Sequence, residues 1–301
     1  MKLTTQTAAL ACILSSGAAA LVAAPEPTLP PPTTAEPATF ARFVPERADD
    51  FAWENDMVAF RAYGPALRTD AVDSGIDAWL KRVPYPIIDR WYAGNLKGVS
   101  YHQDHGEGYD PYHVGSSRGT GGVGLWVDGK MLTSDTFVAH RVLEQTKGKT
   151  VFELDYEYPA AAGEIPVKET KHFTIALGEP FFQVSSTFTR DGKPLAGLPV
   201  AIGITTHDGK AKATFDPAKR WMSCWEVIDG HGVGTGVVLG KGFEADFQEL
   251  PKSGPDTGHA LAVTKTNADG VVRYWAGYGW ERAGHFKNAA DWETALNKKS
   301  K

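Results

Sequence analysis

The chain has 301 residues and a mass of 32.5 kDa, enough for one large domain or two smaller ones, and its 31 Lys and Arg against 36 Asp and Glu leave a net charge of −5. The only basic block is the terminal Lys298-Lys-Ser-Lys301, so a nucleic-acid partner is not expected.

Met1-Lys2 leads into an apolar, Ala-rich run ending at Leu21-Val-Ala-Ala24. A cationic start, a short apolar stretch and small residues predict a signal peptide over 1–24, too short for a membrane span. Cys12 after Ala9-Leu-Ala11 resembles a bacterial lipoprotein box only weakly, so the expected destination is secreted or periplasmic, with a lipid anchor as the lesser alternative. Loss of the leader leaves Cys224 as the one cysteine, which rules out an intramolecular disulfide and predicts a small buried residue. The Pro-rich stretch Pro25–Pro37 predicts an extended tether within a linker over 25–39, ahead of a single domain over 40–301.

In chain order, Met57 to Tyr63 alternates as one half-buried strand stopped by Gly64-Pro65. Asp73 to Tyr92 reads as two short helical turns broken by Pro84 and Pro86. Gly124 to Leu132 is a hairpin about Asp128-Gly129. Phe152, Leu154, Tyr156 and Tyr158 then alternate with Glu153, Asp155 and Glu157, and Val167 to Leu177 continues the period of two. Further strands are predicted at Phe182–Thr189, Leu198–Ile204, Val233–Leu239 and Val271–Trp280. Asp-Gly pairs at Asp128, Asp191, Asp208, Asp229 and Asp269 favour antiparallel hairpins over β-α-β units. The chain closes with a helix from Asn288 to Lys299, capped by Asn288, with Trp292 and Leu296 on one face. The fold class is mainly β, a large antiparallel sandwich with short helices.

The stretch Tyr101 to His113 holds three His, three carboxylates and three Tyr among glycines, with almost nothing aliphatic to bury. Such a loop suits a polar site, because loops on a rigid scaffold carry function more often than core elements do. Three chemistries fit it. His102, His105, Glu107, Asp110 and His113 are potential metal ligands, but the spacing matches no strong metal motif, so no cofactor is expected and a metal ion stays the lesser alternative. Acid–base chemistry would use one of His102, His105 and His113 as base, Tyr109 or Tyr112 as acid, and Arg61 or Arg118 to neutralise a carboxylate, as uronate elimination requires. Glycoside hydrolysis would draw two carboxylates from Glu54, Asp104, Glu107 and Asp110. His207, where a strand tip meets a turn, is a further site candidate, with His140 beside Arg141 similar in kind. Trp280 closes an aromatic segment, and indoles stack on sugars, although most of the nine Trp are expected in the core. Ser116-Ser117 lacks the frame of a serine hydrolase.

The blocks Trp53-Glu-Asn-Asp-Met-Val-Ala-Phe-Arg-Ala-Tyr-Gly-Pro-Ala66, Tyr101 to Gly115 and Ser117-Arg-Gly-Thr-Gly-Gly122 resemble a family of secreted bacterial proteins of largely unknown function linked to polysaccharide-utilisation clusters. The resemblance runs over roughly residues 45 to 290. It implies a galactose-mutarotase-like sandwich, the architecture of several polysaccharide lyases and sugar epimerases, and relatives that dehydrate uronate-containing oligosaccharides. The expected function is therefore β-elimination on acidic oligosaccharides or polysaccharides. Catalysis would come from Arg61, His102, His105, Tyr109, Tyr112 and His113, and substrate binding from Trp53, Glu54, Asp104, Glu107, Asp110, Arg118, His207 and Trp280. The alternatives are an epimerase, a glycoside hydrolase or a non-catalytic carbohydrate-binding protein.

Overall fold

The alternating segments build the largest sheet. From Phe152 onward in Lys149–Glu157, and along Lys168–Ala176, every second side chain is buried, with Phe152, Leu154 and Tyr156 facing Phe173 and Ile175 inside the molecule. These strands belong to a nine-stranded antiparallel sheet. Its main path runs Lys212–Asp216, Trp221–Ile228, His231–Leu239, Val271–Trp280, Phe181–Arg190, Lys168–Ala176, Lys149–Glu157, Ala139–Gln145. The computed structural model describes residues 27–68, 74–160 and 166–301, so the expected leader over 1–24 lies outside the described residues.

Two five-stranded sheets form the opposing layer. One holds Phe40–Val44, Asp50–Glu54, Ala59–Ala62, Ile76–Lys81 and Gly108–Tyr109; the other runs Asp246–Leu250, His259–Lys265, Pro199–Thr205, Thr120–Val127, Lys130–Leu132. The two meet at the parallel bridge Ile76↔Gly119. Phe60 and Val123 from this layer share one core with Phe182, Tyr274 and Tyr278 from the large sheet, which makes the molecule a mainly β antiparallel sandwich. Cys224 is buried in the same core.

The turn chemistry explains the short connections. Asp128, Asp191, Asp208 and Asp229 all have positive φ and precede a glycine of positive φ, the pattern Asp-Gly accommodates. Asp269 differs. Only Gly270 has positive φ there, and Asn267 Oδ1 accepts from the amides of Asp269 and Val271.

Two segments depart from their sequence pattern. The stretch read as one strand over Met57–Tyr63 is the second arm of a hairpin, Asp50–Glu54 with Ala59–Ala62, whose residues are all buried. Ile76–Lys81, expected as helical turns, is a strand buried throughout, followed by the helix α1 (Ile88–Asn95). Ile76, Ala78 and Leu80 face the sandwich core while Trp79 packs outward with Ile88, Trp91 and Tyr92. A strand covered on both faces loses the polar alternation that would identify it. α1 has no cap of its own; Glu54 accepts from the amides of Ile87 and Ile88 at 2.9 Å, placing a carboxylate at the helix N-terminus.

The closing helix α2 (Ala289–Lys299) has the expected Asn288 cap, with Asn288 Oδ1 accepting from the Asp291 amide. It is more than a solvated tail. Trp292 and Leu296 are fully buried on strand His231–Leu239, where a Cβ on Gly234 would stand 2.5 Å from Trp292 Cδ1 and one on Gly236 2.7 Å from Leu296 Cδ2. Glycine is needed here for the close approach of helix to sheet.

Candidate active site

The loop from Tyr101 to His113 is tied down at its base. The Asp110 amide donates to the Tyr101 carbonyl at 2.9 Å, closing the neck. Both residues bind the buried Arg61, whose Nη1 donates to Tyr101 Oη at 3.1 Å and whose Nη2 donates to Asp110 Oδ2 at 3.2 Å. Arg61 also donates to Asp77 Oδ2, lies 3.6 Å from Asp50 Oδ2, and is stacked by Tyr63, Trp79 and Tyr101. Its fork is filled by protein carboxylates and it is 3% exposed, so it stabilises the loop base instead of neutralising a substrate carboxylate. Burial drives Asp50 up to about 6 against the pull of Arg61 and Arg47. Burial, then the charge of Asp77, raises Asp110 well above the carboxylate range.

Arg118 is likewise enclosed, donating to Ser74 Oγ and to the carbonyls of Val123 and Ser116. Trp53 is fully buried among Phe60, Phe152, Phe173 and Phe182, which leaves it no face for a sugar. Glu54 is buried with Lys81 at 2.6 Å and caps α1. Glu107 accepts from Tyr85 Oη and Trp91 Nε1 and pairs with Arg90. Each of these residues is buried and packed or bonded within the protein.

The histidines of the loop stand outward. His102 Nδ1 lies 3.1 Å from the Asp110 carbonyl and His105 Nε2 3.0 Å from that of Ser100. His113 is 80% exposed and 3.7 Å from Asp256. His140, in the strand Ala139–Gln145, stacks on Phe43 away from the loop; burial lowers its pKa.

Tyr109 and Tyr112 point the other way, into the end of the large sheet. Gly108–Tyr109 pairs with Leu80–Lys81, and a Cβ on Gly108 would meet the Leu80 carbonyl oxygen at 1.9 Å, so only glycine lets the loop lie this close. Tyr109 Oη then donates to Asp229 at 2.5 Å and Tyr112 Oη donates to Glu226 Oε1 at 3.0 Å. The other Glu226 oxygen receives His207 Nδ1 at 2.8 Å, and the His207 ring stands edge-on to Tyr112 at 5.5 Å. Burial, then the adjoining carboxylate, raises the pKa of both phenols and keeps them protonated donors.

His207 sits in a turn in which His207, Asp208 and Gly209 all have positive φ. For a non-glycine residue this conformation costs on the order of 1–3 kcal/mol and is held only where its surroundings fix it. With Nδ1 committed to Glu226, the remaining nitrogen of a ring 26% exposed is Nε2. A base oriented by a buried carboxylate that itself receives a phenol is an arrangement for proton transfer.

The register extends the site sideways. Glu226 pairs with Val233, which pairs with Trp280, so the two side chains lie in one row across three strands, roughly 10 Å apart. Tyr109 packs on Trp280 at 6.0 Å, and Arg282, 36% exposed, stands over the same indole while bonding Asp104 at 2.7 Å. Burial would raise Asp104, yet the amides of Gly106 and Gly108 with Arg82 and Arg282 hold it below the usual range. Glu226, Asp229 and Arg282 carry no motif. Of these three, only Asp229 stood out in the sequence, through its turn with Gly230.

Among the described residues no group of three or more His, Cys, Asp or Glu is arranged to hold a metal ion. A family model described as a domain of unknown function, DUF4861, matches residues 7–301. The chain belongs to the DUF4861 family. This DUF4861 protein is 37% identical over 267 residues to uncharacterized protein P7 of Formosa agariphila, covering 84% of its own chain and 65% of the relative, less than two thirds of that length. Among solved structures it is similar to a heparinase III, with a TM-score of 0.42 at 12% identity over 84% of this chain and 37% of that one. A GH36 α-galactosidase from Geobacillus stearothermophilus gives 0.40 at 8% identity over 80% and 41%. Neither likeness assigns a substrate or a reaction.

Proposed function

We propose that this DUF4861 protein is a carbohydrate-active enzyme that acts on uronate-containing oligosaccharides by β-elimination, with His207 as the base. The reading is carried by one observation: the buried Glu226 carboxylate is shared between Tyr112 Oη and His207 Nδ1. Glu226 holds the proton on Nδ1, so Nε2 offers its lone pair to the proton on the carbon beside a uronate carboxylate. The imidazolium formed is paired at once with Glu226. As the C–H bond breaks, its electrons form the ring double bond and expel the oxygen on the neighbouring carbon, which takes a proton from the phenol of Tyr109 or Tyr112. Arg282, over Trp280 at the open end of the row, replaces Arg61 and Arg118 as the cation proposed to receive the substrate carboxylate.

Action on an exported glycan fits the leader and tether read over 1–24 and 25–39, and secretion or periplasmic residence is part of the proposal. The domain over 40–301 would then act as one unit.

The test is incubation with a panel of uronate oligosaccharides, following ultraviolet absorption of the conjugated product and the loss of one water, or of a leaving alcohol, by mass spectrometry. His207→Gln and Glu226→Gln should each lower turnover by about 10²-fold or more. Cleavage without a new chromophore would overturn elimination in favour of hydrolysis, and full activity in His207→Gln would remove the base.

A further inference from the structure

Eight of the nine Trp residues belong to hydrophobic clusters: Trp53 and Trp280 to the main core, Trp79 and Trp91 under α1, and Trp221, Trp225, Trp275 and Trp292 about α2. Trp126 belongs to none. It makes no ring contact or indole hydrogen bond among the described residues and is half-buried at the end of strand Thr120–Val127. It lines an open groove of about 1010 Å³. A large flat apolar face left unpacked beside open space is the kind of surface to which sugar rings bind.

The groove also carries charged groups. Arg220, Glu244, Asp246 and Lys265 line it with Trp126 and Phe243. Glu244, Asp246 and Lys265 form no ion pair among the described residues. Arg220 is held at φ 60°, ψ 38°, tied by Nη2 to the Ser300 carbonyl at 2.6 Å, while its buried Nε has no hydrogen-bond partner among the described residues. Fixed charges of both signs around an aromatic face match the paired donors and acceptors of sugar hydroxyls. Equal numbers of cations and anions give the groove no preference for nucleic acid.

The groove is distant from His207. Trp126 follows the pair Val200↔Leu125, whereas Ile204↔Thr120 ends the same ladder where Thr205 leads into the His207 turn, a separation of roughly 20 Å at ~3.3 Å per residue.

We propose that the Trp126 groove is a second carbohydrate-binding site, which holds a length of glycan chain with one sugar ring on the indole. It binds without chemistry and does not depend on the elimination reading.

The experiment is affinity electrophoresis of the whole chain through gels containing polygalacturonate, alginate or a neutral galactomannan. Wild type should be retarded by at least one polymer. Trp126→Ala should bind it about tenfold more weakly, with Trp126→Phe intermediate. An unchanged thermal unfolding midpoint establishes that Trp126→Ala is folded; should it unfold, Lys265→Ala, an exposed change, must weaken retardation instead. Equal retardation of wild type and the folded Trp126→Ala, or no retardation of wild type by any polymer, would overturn the proposal. Failure of the elimination reading alone would leave retardation intact and show only as absence of the ultraviolet signal.

Discussion

Substitution of Asp50 by Asn should change how stability depends on pH. Asp50 is fully buried, with Oδ1 accepting from the Gly64 amide at 3.3 Å and Oδ2 lying 3.6 Å from Arg61 and 4.0 Å from Arg47. Burial outweighs both arginines and lifts the group from 3.8 to about 6. A carboxylate whose pKa is raised on folding binds its proton more tightly in the native state, so its contribution is full below 3.8 and is lost as pH rises through about 6. A rise of roughly 2 units corresponds to about 3 kcal/mol.

His259 works against it. The ring is buried, donating from Nδ1 to the Thr257 carbonyl and accepting the Arg118 amide at Nε2, and burial, with the Arg118 charge, lowers it from 6.5 to about 4. An imidazole that must stay neutral costs stability as pH falls from 6.5 toward about 4, again by about 3 kcal/mol. The two contributions nearly cancel in the wild type. Their windows overlap, so only the difference between variants separates them. Urea unfolding at constant ionic strength should show wild type gaining about 3 kcal/mol over Asp50→Asn as pH falls through the Asp50 window. A flat difference across it, or one of opposite sign, would refute the burial argument.

Two further substitutions address the scaffold. Arg61→Met removes the one guanidinium shared by Asp50, Asp77 and Asp110, and should destabilise by about 3–5 kcal/mol at neutral pH, with partial recovery on acidification, read as a shift in urea midpoint. Trp292→Ala should cost about 3–5 kcal/mol in calorimetry by opening a cavity over Gly234 and Gly236.

Much of the fold is legible from sequence because its cause is local. The alternation from Phe152 to Tyr158 reports one face buried and one wet, and the structure has that strand as Lys149–Glu157. Asp-Gly tolerates positive φ, and four of the five pairs adopt it. Asn288 caps the helix that follows it. The pattern fails where burial is two-sided, as at Ile76–Lys81, since a strand between a core and α1 presents no wet face to reveal its period.

The site divides along the same line. Composition alone marks Tyr101 to His113 as a polar segment, and its Tyr109 and Tyr112 reach a carboxylate-lined end of the sheet. Side-chain type cannot say which groups are already satisfied. Arg61, Arg118, Trp53 and Glu54 have the chemistry of a sugar site, but partners distant in the chain enclose them. Conversely, Glu226 stands 114 residues from Tyr112 and 19 from His207, and only the pairing of strands brings the three together. Sequence determined the periods, the turns and the presence of a polar loop, which depend on neighbouring residues. Tertiary structure decided which charges are spent on each other and which remain for a ligand, because desolvation and pairing depend on what the whole chain places around each group.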